Sequence, residues 1–137
     1  MSRDEEEARE AFRERYSLPR HAVNAEVEQA VIGGDWGANG YTSMAQADEL
    51  GVLIGAAPGR VVLDVGAGRG WPGLYLAATT GCRVILVDLP LEGLQTATQR
   101  AAAEGLSTRA AAVVASASRL PLRPSSVDAA IAADVLC

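Results

Sequence analysis

The stretch Leu63-Asp64-Val65-Gly66-Ala67-Gly68-Arg69-Gly70 decides the fold. With Arg60-Val61-Val62 before it, a short β-branched run leads directly into a turn holding three glycines. A run this apolar reads as a strand buried on both faces, the kind found in parallel sheets. Glycine tolerates φ > 0 and lets a ligand approach the backbone closely. A helix then runs from about Pro72 to Thr79, proline suiting the first helical turn, and Gly81 ends it. Arg83-Val84-Ile85-Leu86-Val87-Asp88 is a second strand, and Asp88 stands 22 residues after Gly66.

The same alternation continues downstream. Residues 91–104 are helical in character and closed by Gly105, residues 109–115 are a weak strand, and residues 127–133 read as another strand. Ala110 to Ala112 would suit a helix equally well. Strands alternating with helices mean βαβ units, a parallel sheet and right-handed crossovers, hence an α/β fold.

Upstream, residues 2–16 read as a solvated helix. Ser2 is its N-cap, Asp4 to Glu7 suit the helix dipole, and Glu5–Arg9 makes an i,i+4 pair. Only Ala8, Phe12 and Tyr16 form an apolar stripe. Pro19 breaks this helix, and residues 20–32 suggest a second. Gly33 to Gly40 is a loop by composition, and it brings Trp36 beside Tyr41. Aromatics among glycines suit either a binding lid or a loop packed on the core. Ser43-Met44-Ala45-Gln46 fits a capping box, with a helix expected to about Ala57. Residues 1–35 therefore form an N-terminal helical segment, and 36–137 the α/β part.

Composition narrows the function classes. The chain has 137 residues, 12 arginines and no lysine against 17 acidic residues, a net charge of −5. Hydrophobic content of 49% excludes a disordered chain. A pI near 4.8 with scattered arginines offers no surface for nucleic acid. No apolar run approaches about 20 residues, so no membrane span is expected. The acidic N-terminus is neither a secretory signal nor a transit peptide, and the default location is the cytoplasm. Cys82 and Cys137 cannot make a disulfide framework or a zinc site alone, so no metal is expected. Small-molecule chemistry is the first expectation.

A glycine turn opening a helix, followed by an acid ending the next strand, indicates a nucleoside-containing cofactor. Such ligands sit at the carboxyl ends of strands, and the acid accepts hydrogen bonds from both ribose hydroxyls. A dinucleotide site wants G-x-G-x-x-G/A, but the third position here is Trp71, too large for close helix–strand packing. A Walker P-loop is excluded because the chain has no lysine.

Taken in order, the motifs resemble those of class I S-adenosylmethionine-dependent methyltransferases. Val62 to Gly70 is similar to the family's first motif, and Val84-Ile85-Leu86-Val87-Asp88-Leu89 to its second. Leu120-Pro121-Leu122 followed by Ser126-Val127-Asp128-Ala129-Ala130 resembles the passage into strand four. Asn39 to Ser43 sits where several small-molecule members carry an N-terminal lid segment. The resemblance covers about residues 36–137. It implies a Rossmann-like doubly wound parallel sheet, here ordered 3-2-1-4, and S-adenosyl-L-methionine as cofactor.

The resemblance also implies roles. Gly66, Gly68 and Gly70, with Ala67 between them, would wrap the methionine part, and Asp64 beneath would orient it through the amino group. Asp88 would hold the ribose hydroxyls and Leu89 would pack on the adenine. Asp134 would lie near the methionine end and the substrate mouth, while Tyr41 and Thr42 would close from above. One position departs: Ser116, beside Ala117, stands where the family often has an acid that recognises the adenine amino group. Losing a hydrogen bond to a charged group costs roughly 1.5–3 kcal/mol if nothing replaces it.

The implied activity is methyl transfer to a small-molecule acceptor. The alternatives are a non-catalytic cofactor-binding or scaffold module and, against Trp71, a nicotinamide-binding oxidoreductase domain. No general base is identifiable. His21 suits a surface or capping role better than catalysis, and Cys82 reads as an ordinary half-buried thiol. The sequence stops after strand four, at Asp134-Val135-Leu136-Cys137, so a partial methyltransferase domain is expected. Its strand-four edge would then be open to pairing with a second copy.

Overall fold

The computed structural model describes residues 1–135 of the chain, so Cys137 lies outside the described residues. Three helices come first: α1 (Arg3–Ser17), α2 (Ala22–Ile32) and α3 (Met44–Leu53). Then follow β1 (Val61–Val65), α4 (Gly73–Thr80), β2 (Arg83–Asp88), α5 (Leu91–Ala103), β3 (Ala110–Val114) and β4 (Ala129–Ile131). The four strands form one parallel sheet in the order β3-β2-β1-β4. This is the order expected, and the fold is Rossmann-like α/β. Among the described residues, no helix is long and apolar enough to cross a membrane.

Local chemistry accounts for the boundaries. Ser2 and Glu5 close a capping box on α1, and Ser43 and Gln46 close another on α3, so both helices start where expected. Helix α3 ends at Leu53 rather than near Ala57, because Gly55 takes φ +65 and the Ala56 N–H folds back onto the Gly51 carbonyl. Helix α4 starts at Gly73 with Pro72 as N-cap residue. Strand β4 covers only Ala129–Ile131, not 127–133. Asp128 precedes it and clasps the start of β1 twice, its N–H donating to the Val61 carbonyl at 2.8 Å and its carboxylate accepting from the Val61 N–H at 2.7 Å. The alanine run at 110–112 becomes a strand because it pairs with Val84 to Leu86, which overrides its helical propensity.

The core lies between the sheet and its helices. Val62, Val84 and Leu86 pack with Leu74, Leu76, Leu94 and Leu106, all fully buried. Each contributes roughly 1.5–3 kcal/mol on leaving water. Trp36, Trp71 and Tyr75 stack into one aromatic group with ring centroids 5.4–6.3 Å apart, so Trp36 ties its loop to the core. Cys82 is completely buried, not half-buried, inside this core.

Helix α1 corrects the sequence reading most. It is not a freely solvated rod: it packs on α5, where Arg13 Nε donates to Glu92 at 3.1 Å. Glu5 does not pair with Arg9. The ion pairs along α1 are Arg3–Glu7 and Glu10–Arg13, while Glu5 turns to Ser116 and Ser118.

Candidate functional site

A cavity of about 510 Å³ opens at the carboxyl ends of the strands. The glycine turn forms its floor. Val65 ends β1, and both Gly66 and Ala67 donate their N–H to the Val87 carbonyl of β2, at 2.8 and 3.0 Å. The chain then swings past Gly68 and Gly70 into α4, both glycines having positive φ. At Gly68 a Cβ would stand 2.6 Å from the Tyr16 hydroxyl, so a side chain there would push α1 away.

Asp88 ends β2 at the rim of this cavity. Its carboxylate accepts from the Gly68 N–H at 2.7 Å and the Leu89 N–H at 2.8 Å. Each oxygen keeps an unused lone pair, and the side chain is half-buried. Burial pushes its carboxyl above the usual range, and the two N–H groups pull it back. Across the cavity, Asp134 Oδ2 accepts from the Thr42 N–H at 3.2 Å, and Gly40 leaves no room for a Cβ against that carboxylate. Thr42 also offers its carbonyl to the Trp71 indole N–H at 3.1 Å.

Of the residues singled out from the sequence, Gly66, Ala67, Gly68, Asp88, Asp134 and Tyr41 meet around this cavity. Tyr41 is 84% exposed at its mouth. Asp64 and Gly70 lie beneath the turn and do not line it. Leu89 follows Asp88 in the chain, and Thr42 acts through its backbone. Ser116 sits at a separate opening beyond β3, shared with Met1, Ser2, Glu5 and Ser118. There the Glu5 carboxylate accepts from both serine hydroxyls, which hold it well below the usual carboxylate range. A carboxylate thus stands beside Ser116 after all, delivered by a helix 111 residues away in sequence. Ala117 is exposed nearby.

Sequence reasoning missed the roof and one wall. Helix α1 lays Ala8, Phe12, Arg15 and Tyr16 over the cavity. The apolar stripe was visible, but its partner surface was not. Tyr16 is buried against the turn and its hydroxyl is pushed up to about 12, by burial first and then by Asp88. Arg69, to which the sequence reading gave no role, is 8% exposed and its guanidinium lies 5.2 Å over the Tyr16 ring. His21 is the N-cap residue of α2 and makes no side-chain capping bond.

The profile of the methyltransferase domain family matches residues 62–137, more than half of the chain. The chain belongs to the methyltransferase domain family. Among solved structures it is similar to geranyl diphosphate C-methyltransferase from Streptomyces coelicolor A3(2), solved with Mg2+, geranyl diphosphate and S-adenosyl-L-homocysteine. That match has 25% identity and a TM-score of 0.63, covering 88% of this chain and 42% of the other. An S-adenosylmethionine-dependent methyltransferase from Thiobacillus denitrificans, in complex with S-adenosyl-L-homocysteine, matches at 21% identity and TM-score 0.61, covering 84% and 44%. An RNA methyltransferase from Salinibacter ruber, in complex with the same molecule, matches at 20% identity and TM-score 0.52, covering 55% and 49%. The last two are likenesses of fold. The chain spans less than half the length of each of these three proteins.

In this methyltransferase domain Asp64 is a support of the turn. It is 1% exposed, and its carboxylate accepts from the Gly73 N–H at 2.9 Å, at the start of α4. Burial pushes its carboxyl up to about 8, opposed by the Gly73 bond and aided by Asp88. The folded chain therefore holds a proton on Asp64 that the unfolded chain releases near the ordinary 3.8. Where the native state binds the extra proton, stability falls as pH rises, here from about 4 to about 8. Asp64→Asn keeps an acceptor for Gly73 and removes this dependence. Urea unfolding should show the variant gaining about 2.6 kcal/mol on the wild type between about pH 5 and pH 7. A constant difference across that range would contradict a buried, protonated Asp64.

Proposed function

We propose that this chain binds S-adenosyl-L-methionine in the cavity between the glycine turn and α1 and serves methyl transfer to a small-molecule acceptor. The observation that carries the reading is the Asp88 carboxylate at the cavity rim, held by two N–H groups with a lone pair free on each oxygen. That acid, with lone pairs to spare beside a glycine-rich turn, fits a ribose diol and a ligand laid against the backbone. S-adenosyl-L-homocysteine in the structures of the three similar proteins supports the same cofactor.

When bound, the cofactor would supply an electrophilic methyl group on a cationic sulfur, open to an acceptor lone pair. The chain's own residues position and enclose. Gly66, Ala67 and Gly68 would face the amino-acid part, and Asp88 the ribose, with Leu89 beside the adenine. Asp134 and the Asn39 to Thr42 segment would border the acceptor mouth. Helix α1 would exclude water from above, with Tyr41 at the mouth, so that orientation and desolvation supply most of the rate. Residues 1–35 act in this reading as the cover of the cofactor half, and a net charge of −5 favours a small molecule over a nucleic acid.

Titration calorimetry of the chain with S-adenosyl-L-methionine and S-adenosyl-L-homocysteine tests this. The expected result is one site with dissociation constants on the order of micromolar. A folded chain that binds neither would overturn the reading. Binding of both without turnover on any acceptor would favour a cofactor-binding module instead.

A further inference from the structure

A second cavity, of about 520 Å³, adjoins the first behind the Ala38 to Tyr41 segment. The two share Arg15, Arg69 and that segment as a common wall. The far side is apolar, built from Leu18 and Pro19 after α1 and from Val27, Val31 and Ile32 of α2. Leu18, Val27 and Val31 remain largely exposed within it, so this surface lacks a partner among the described residues.

The charges around this cavity do not cancel. Glu28, its only carboxylate among the described residues, is buried and fully engaged: it pairs with Arg20 and accepts from the Trp36 and Ala38 N–H groups at 2.6 and 3.1 Å. Arg20 is in turn shared with Asp35 at 2.6 Å. Arg69 and Arg15 are left over: among the described residues neither reaches a carboxylate. Arg69 is more than nine-tenths buried, yet it uses only two of its five donors, toward Asn39 Oδ1 at 3.1 Å and the Arg15 carbonyl at 3.3 Å. A buried guanidinium without a counter-charge is costly, and burial together with Arg20 and Arg15 lowers its proton affinity. An anion entering the cavity would remove that cost through bidentate, charge-assisted bonds.

We infer that this second cavity extends the acceptor mouth past the Asn39 to Tyr41 segment, and that it takes a small organic anion whose apolar body lies on α2 and whose carboxylate or phosphate is held by Arg69 and Arg15 at the boundary with the first cavity. The inference rests on the cofactor reading above for what lies across the shared wall. It adds the class of acceptor.

The test uses the full chain, with and without saturating S-adenosyl-L-homocysteine, titrated with octanoate, octyl phosphate and 1-octanol. The anions are expected to bind at least about tenfold tighter than the alcohol, and the tighter of the two identifies the head group. Arg69→Met should erase that advantage, and Arg15→Ala, at an exposed position that folding tolerates, should reduce it about threefold or more. Val27→Asn, on a residue that lines the second cavity and not the first, should weaken octanoate while S-adenosyl-L-homocysteine binds within about threefold of wild type. Equal binding of octanol and octanoate would overturn the inference, as would anion binding untouched by Arg15→Ala. If Arg69→Met weakens S-adenosyl-L-homocysteine as much as octanoate, the guanidinium serves the cofactor and the inference falls. Should the chain fail to bind S-adenosyl-L-homocysteine at all, the cofactor reading fails by itself, and the octanoate titration without it still decides whether Arg69 and Arg15 hold an anion.

Discussion

Asp88→Ala is expected to weaken S-adenosyl-L-homocysteine binding by at least about a hundredfold while the chain stays folded. A hydrogen bond to a charged acceptor contributes about 1.5–3 kcal/mol, so loss of two ribose contacts costs about 3–6 kcal/mol. The carboxylate also fixes the turn, because its Oδ2 receives the Gly68 N–H at 2.7 Å. Removing it leaves that N–H without a partner where the ligand should lie. Asp88→Asn separates the two contributions. The amide oxygen can still accept from one N–H, but its NH2 faces the other donor and carries no charge, so an intermediate loss is expected. Calorimetry gives the affinities, and circular dichroism checks the fold. Unchanged affinity in both variants would show that ribose recognition does not run through Asp88.

The second large effect concerns stability. Gly70 has φ +99, and a Cβ on it would stand 2.5 Å from Leu74 Cδ1 and 3.2 Å from the Ala97 Cβ, where α4 and α5 meet beneath the turn. Gly70→Ala therefore combines backbone strain of about 1–2 kcal/mol with overpacking of about 1–3 kcal/mol. The expected loss is about 2–5 kcal/mol, a large fraction of a single domain's stability. Gly59 provides the matched control: its φ is +84, but nothing lies within 4 Å of its added Cβ. Gly59→Ala should show only the backbone part, about 1–2 kcal/mol. Urea unfolding of the two variants measures the difference, and equal losses would mean that Leu74 and Ala97 yield freely.

The strands, their parallel order and the glycine turn were legible because their signals are local. A β-branched run, a glycine that alone tolerates positive φ, and an acid at the end of the next strand each act within a few residues. Element ends were less legible. Helix α3 was expected to run to about Ala57, but Gly55 reverses the chain earlier. Strand β4 was expected to include Asp128, whose carboxylate instead finds the Val61 N–H, 67 residues away. A side chain that finds its partner so far along the chain leaves no periodic trace in sequence.

Half of the candidate site was hidden for the same reason. The motif supplies Gly66, Gly68 and Asp88, but helix α1 looked like a soluble rod because its charges suit water. Only docking on α5 shows that Ala8, Phe12 and Tyr16 roof the cavity. Only docking brings Glu5 to Ser116, the position where the acid seemed to be missing. Arg69 shows the limit most clearly. Its neighbours Gly68 and Gly70 determine where its backbone goes, and that much follows from sequence. That its guanidinium is buried over Tyr16, between two cavities and with no carboxylate in ion-pair reach among the described residues, depends on where α1, α2 and the Ala38 to Tyr41 segment come to rest. Conformational preference is a property of a residue and its neighbours, so the sequence alone determined the sheet, the turn and the acid that follows it. Burial and charge compensation are properties of an assembled interior, so tertiary structure alone decided what covers the site and which anion-seeking group faces it.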